Sequence, residues 1–170
     1  DRPNWDRDGL VGPAPLWDRF WENPKLTVEQ KKLLIAFRDN ARRDLDKHDA
    51  TQDFGLIHAD LVSQNVMVDD DVLHLIDFDD GGFGYRLFEV ATAFYPNRNS
   101  ADFDTLKTSL AAGYHSIRPL NMSGLDLFLA LRAMTYVGWN IARLDEDPSG
   151  ERNARHITSA TQLAAAYLKT

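Results

Sequence analysis

The 170-residue chain contains no cysteine. Disulfides, thiolate nucleophiles and zinc–cysteine sites are therefore excluded. No apolar run approaches the roughly 20 residues needed to cross a membrane. The first residues, DRPNWDRDGL, are charged and lack the apolar stretch of a secretion signal. Positive charge is in the minority: 19 Lys and Arg against 26 Asp and Glu leave a net charge of −7. That balance argues against a nucleic-acid or anionic-membrane surface and suits a cationic small molecule. There is no internal repeat and no low-complexity tract. What the chain does have is 44% hydrophobic and 11% aromatic residues, enough to bury a core in one domain or the larger part of one. The composition predicts a soluble, cytoplasmic protein.

Residues 1–26 carry GPAP, Trp17, Phe20, Trp21 and Pro24, and read as irregular chain pinned by aromatics. Thr27 and Gln30 form a capping-box pattern. Helical spacing continues through Leu34, Phe37, Ala41 and Leu45, which predicts a helix over 27–48. FGLIH, 54–58, is short, apolar and β-prone. NVMV (65–68) and VLHLI (72–76) flank three aspartates, which predicts a hairpin with Asp69–Asp71 as its solvated turn. GGFG, 81–84, is expected to be loop. Beyond it the pattern turns helical: 87–96, a helix capped by Ser100, a third from Ser123 to about 145, and a last one over 150–168. The expected fold is α+β, mostly helical, with a small central hairpin.

An antiparallel hairpin returns its entry and exit to the same end. Asp60 and Asn65 on the way in and Asp77 on the way out can therefore converge, away from Asp69–Asp71. Asn and Asp oxygens facing one point make a hard-oxygen site suited to magnesium, which binds few protein ligands and shares the rest with water and phosphate. A further Asp nearby can accept a proton from an attacking hydroxyl. Phosphoryl transfer needs this layout, because its catalysis is mostly positioning and charge neutralisation.

His58-x-Asp60, then Asn65, a hairpin, and Ile76-Asp77-Phe78 resemble the catalytic segment of the aminoglycoside phosphotransferase and choline kinase family, enzymes of protein-kinase-like fold. There the motif usually reads His-Gly-Asp, Leu, three variable residues, Asn, and later Ile-Asp-Phe or Ile-Asp-Trp. GFGYRLFEVAT also resembles the family's Gly, Asp-Pro, Asp-Leu-Ala stretch. The resemblance implies that Asp60 is the catalytic base and that His58 braces its loop. It also implies that Asn65 and Asp77 hold Mg2+ on the phosphates of ATP or GTP. The partners implied are a nucleotide and a small hydroxyl acceptor: an amino alcohol, an amino acid such as homoserine, or an aminoglycoside-like compound.

Some positions depart from that pattern. Val62 stands where many relatives have His and protein kinases have Lys, and Tyr85-Arg86 replaces Asp-Pro. Arg86 is expected to pin the loop through a carboxylate such as Asp80 or Glu89. No Gly-rich phosphate loop or strand Lys precedes residue 54. The chain is thus expected to be the C-terminal lobe, 27–170 after a connecting segment 1–26, with the N-terminal nucleotide lobe outside it. Alone, such a fragment is expected to be inactive. Asp79 and Asp80 either support the metal site or cap the loop. Asp80, Tyr136, Trp139 and Asp145 are candidate acceptor-binding residues, aromatics and carboxylates that can hold an ammonium group. The alternative places Tyr136 and Trp139 in the core and the acids 145–147 at a solvated helix end. His74 is read as a surface residue. The rival overall reading is a non-catalytic binding module derived from a kinase lobe. A protein kinase fits less well, because no Ala-Pro-Glu segment follows Asp77.

Overall fold

A computed structural model describes residues 2–48 and 53–169. In chain order its elements are β1 (Asn4–Trp5), α1 (Arg7–Val11), α2 (Val28–His48), β2 (Phe54–Ile57), β3 (Val66–Asp69), β4 (Val72–Leu75), β5 (Gly82–Tyr85), α3 (Arg86–Phe94), α4 (Phe103–His115), α5 (Leu125–Trp139) and α6 (Glu151–Tyr167). The fold is α+β and mostly helical, as expected. Two compact units share the chain: residues 2–4 with 53–129, and residues 5–48 with 130–169.

In the second unit the capping box forms in full. The Gln30 amide donates to Thr27 Oγ1 at 3.2 Å, and the Thr27 amide donates to Gln30 Oε1 at 2.9 Å. Helix α2 starts there and buries Leu34, Phe37, Ala41 and Leu45 completely, the four positions its periodicity singles out. Its buried face meets α6, where Phe37 packs edge-on against Tyr167 at 5.5 Å. Residues 5–26 include α1, capped by Asp6, which accepts from the Gly9 amide at 2.8 Å. Trp5, Phe20 and Trp21 from this stretch are buried. At Gly138 a Cβ would sit 1.9 Å from the Trp17 carbonyl oxygen, so only glycine lets the two backbones touch.

The first unit carries the β-structure. β3 and β4 form the predicted hairpin, with Val66 opposite Leu75 and Asp69 opposite Val72. Asp70 and Asp71 make its turn, and Asp70 takes a φ of 49°. A second sheet has the order β1-β5-β2, with Phe54 opposite Tyr85 and Ile57 opposite Gly82. This corrects the reading of GGFG as loop. Gly82 lies inside a strand, and a Cβ there would come within 2.2 Å of the Pro3 carbonyl oxygen. Its glycine marks a close backbone approach, not a turn.

The helices after residue 100 also differ at their ends. α4 and α5 begin at Phe103 and Leu125, later than Ser100 and Ser123 suggest, and α4 has no side-chain cap. α4 has no buried residue, and its Leu106 is 41% exposed. α5 stops at Trp139, not near 145. There the Asn140 side chain donates to the Tyr136 carbonyl at 2.7 Å and Arg143 donates to the Trp139 carbonyl at 3.1 Å, so side chains satisfy the helix end.

Candidate active site

β2 ends at Ile57 and delivers His58, Ala59 and Asp60 to the mouth of the hairpin. Ala59 turns the chain with a φ of 67°, a left-handed conformation. Such a conformation costs an L-residue about 1–2 kcal/mol. Glu89 on α3 supplies the compensation. Its Oε1 accepts from the His58 amide and its Oε2 from the Ala59 amide, both at 2.8 Å. Hydrogen bonds to a charged group contribute about 1.5–3 kcal/mol each, so the clamp outweighs the strain.

His58 is buried and spans three pieces of chain. Its Nε2 lies 2.8 Å from the Ile76 carbonyl, which can only accept, so Nε2 carries the proton. That leaves Nδ1 to accept from the Asp60 amide, at a long 3.4 Å. The Phe78 ring stacks on it obliquely at 4.4 Å between centroids. The imidazole therefore ties the loop holding Asp60 to both sides of Asp77.

Asn65 is buried and closes the arrangement. Its Nδ2 donates to the Asp60 carbonyl at 2.8 Å and to Asp60 Oδ2 at 3.1 Å. Two acceptors facing that nitrogen set the orientation of the amide, and Oδ1 is on its opposite side. The Asn65 carbonyl accepts from the Ile76 amide at 3.1 Å, one step beyond the Val66–Leu75 pair. Asp77 comes next, exposed and with a φ of 63°. The hairpin thus gathers Asp60, Asn65 and Asp77 at its open end and leaves Asp69–Asp71 exposed at the other. His74 is exposed in β4.

Asn65 Oδ1 and the Asp77 carboxylate are hard-oxygen donors and fit magnesium, which completes its shell with water and phosphate. Among the described residues no group of three or more His, Asp or Glu side chains forms a ready-made cation cage. A nucleotide's phosphates would therefore have to supply part of any shell built here.

The other candidate residues have different surroundings. Asp80 is half-buried on the turn that the Gly81 amide closes onto the Phe78 carbonyl at 3.0 Å, and Asp79 is exposed. In the second unit, the Tyr136 hydroxyl accepts from Arg132 at 2.9 Å, and its ring stacks on His156 at 4.7 Å. The Trp139 ring lies 4.3 Å from the Arg143 guanidinium and 5.2 Å from that of Arg152. Both rings are thus in contact with the chain's own side chains. Asp145 is exposed. Asp147 accepts from the Asn153 amide at 2.9 Å at the start of α6, and that bond is the main influence holding its carboxyl below the usual range.

Two features escape the sequence reading. Glu89 is the anchor of the His58–Asp60 loop, and the available signal was its place in the Asp-Leu-Ala-like stretch. The carboxylate that Arg86 reaches is Asp53, with the Phe54 carbonyl beside it, in place of the expected Asp80 or Glu89. Arg118 joins Asp53 at 2.9 Å.

The chain superposes on a structure of the microcompartment-associated aminopropanol kinase with a TM-score of 0.87 and 28% identity, over 99% of this chain and 55% of that one. It shares the fold of the choline kinase LicA from Streptococcus pneumoniae, with a TM-score of 0.63 and 18% identity over 88% of this chain and 56% of that one. The chain thus spans little more than half the length of either. No curated protein sequence matches it. A family model described as the phosphotransferase enzyme family matches residues 3–128, a stretch that contains the whole His58–Asp77 constellation, and the chain belongs to that family.

Proposed function

We propose that this chain supplies the acceptor-activating and metal-holding half of a small-molecule kinase. Its reaction moves the γ-phosphoryl group of ATP or GTP to the hydroxyl of a small amino alcohol. The observation that carries the reading is Asn65, whose amide nitrogen binds both the carbonyl and the carboxylate of Asp60 and so leaves its oxygen as the group to meet a cation. Base and metal ligand are thereby held in fixed relation. The acceptor class follows from the aminopropanol kinase likeness and from charge. Residues 54–85 hold seven aspartates and neither Lys nor Arg, which favours a cationic acceptor.

In this mechanism Asp60 orients the acceptor hydroxyl and takes its proton as the oxygen bonds to phosphorus. The bond between the γ-phosphorus and its bridging oxygen breaks, and the nucleoside diphosphate leaves. Asn65 and Asp77 would hold Mg2+, which when bound would neutralise charge on the phosphates. His58 and Glu89 keep the Asp60 loop in place.

The test is nucleotide turnover by the protein of the full open reading frame, with magnesium and a panel of amino alcohols, amino acids and aminoglycosides. Asp60→Asn is expected to lower turnover about 10²–10⁴-fold, the usual worth of a positioned base. An unchanged rate in that variant removes Asp60 from the mechanism. Absence of both turnover and nucleotide binding favours a non-catalytic binding module.

A further inference from the structure

A segment as acidic as Phe54–Tyr85, with no Lys or Arg of its own, meets a cation from far away in sequence. Arg2 Nη1 donates to the Gly81 carbonyl at 3.0 Å. Beside it the Phe83 amide donates to the Pro3 carbonyl at 3.0 Å. Residues 2 and 3 therefore strap the loop that follows Asp77. Within that loop the Gly81 amide closes a turn onto the Phe78 carbonyl at 3.0 Å. A Cβ on Gly81 would lie 2.9 Å from the Phe78 oxygen, 3.1 Å from Arg2 Nη1 and 3.6 Å from the Ile57 oxygen. Guanidinium, turn and the end of β2 meet at this one residue. Immediately upstream, Asp77 holds its φ of 63°, a left-handed conformation that Asp tolerates better than most residues and that the closed turn beside it can help to keep.

We propose that Arg2 is a positioning residue of the phosphoryl-transfer site. By holding the Gly81 carbonyl it keeps the 78–81 turn closed and Asp77 in the left-handed conformation that presents its carboxylate to a divalent cation. The inference rests on the reading of Asp77 as a metal ligand. The role is mechanical, and the sign of its effect separates it from an electrostatic one. Removing a positive charge near Asp77, Asp79 and Asp80 would tighten cation binding if charge alone mattered. Releasing a residue that orients a ligand weakens binding, typically 10–100-fold for an outer partner. Arg2 is exposed and acts through a turn, so the lower end, about tenfold, is expected.

The experiment uses Mn2+ as the probe and the protein of the full open reading frame. Free and bound Mn2+ are distinguished by electron paramagnetic resonance in the unmodified protein, Arg2→Gln, Arg2→Lys and Asp77→Asn. Hydrogen exchange of the Gly81 amide is followed without metal. Arg2→Gln is expected to weaken Mn2+ binding about tenfold and to speed Gly81 exchange. Arg2→Lys, which keeps a charge and a donor, should fall between it and the unmodified protein. Unchanged or tighter Mn2+ binding in Arg2→Gln, with weaker binding in Asp77→Asn, overturns the role of Arg2 and leaves the metal reading standing. Unchanged Gly81 exchange also overturns it. Unchanged binding in Asp77→Asn overturns the metal reading, and the role of Arg2 with it. Should Arg2→Gln not fold, Arg2→Lys carries the same two readouts.

Discussion

Glu89→Gln is the substitution that most directly probes how the Asp60 loop is held. The carboxylate accepts two backbone N–H groups, from His58 and Ala59, each at 2.8 Å. Glutamine keeps one acceptor and sets an NH₂ group against the second amide, so one charge-assisted bond is lost outright and the other becomes neutral. At about 1.5–3 kcal/mol for a bond to a charged group and about 1 kcal/mol for a neutral one, the loss comes to roughly 2–5 kcal/mol. The left-handed Ala59 pulls the same way, because about 1–2 kcal/mol of strain is relieved once the loop lets go. The loop should therefore open locally before the fold is lost. Hydrogen exchange at the His58 and Ala59 amides should accelerate by at least tenfold, the equivalent of about 1.4 kcal/mol. A 1 Å misplacement of a reacting group costs up to about 10²-fold in rate, so kcat should fall 10–100-fold while nucleotide KM changes little. Unaltered exchange at both amides, with full activity, would refute the clamp argument.

Two further outcomes follow from packing and titration. Gly138→Ala places a methyl group 1.9 Å from the Trp17 carbonyl oxygen, backbone against backbone, and should destabilise by about 1–3 kcal/mol in urea denaturation; a loss under 0.5 kcal/mol would show that the contact yields freely. Burial, and then hydrogen bonding to Asp44, raises the Tyr167 hydroxyl well above its usual pKa of 10.0. The raised value means the neutral phenol is favoured in the folded state, so this stabilisation is complete below pH 10 and declines as pH rises through the folded pKa. Tyr167→Phe should flatten the alkaline limb of the stability–pH curve, and an identical limb in the two proteins would count against the assignment.

The sequence by itself determined the local structure and the chemistry-bearing positions. The capping box and the 34/37/41/45 spacing specified α2, because both signals lie within a few turns of one helix. Two apolar runs around three aspartates specified the hairpin. From the hairpin alone it followed that Asp60, Asn65 and Asp77 share one end, since antiparallel strands leave no other choice. Tertiary structure decided what acts on those positions from a distance. Glu89 reaches His58 and Ala59 across about thirty residues, and Arg2 reaches Gly81 across nearly eighty. No periodicity records such a contact. A glycine reads the same whether it frees a turn or admits a neighbouring backbone, so Gly82 was legible only once Pro3 lay against it. An exposed-looking arginine likewise chooses among many carboxylates, and Arg86 met Asp53 because the folded chain brought that one within reach. Local rules act through bonded neighbours and repeat along the chain; the contacts that hold this site are single events between segments that only folding brings together.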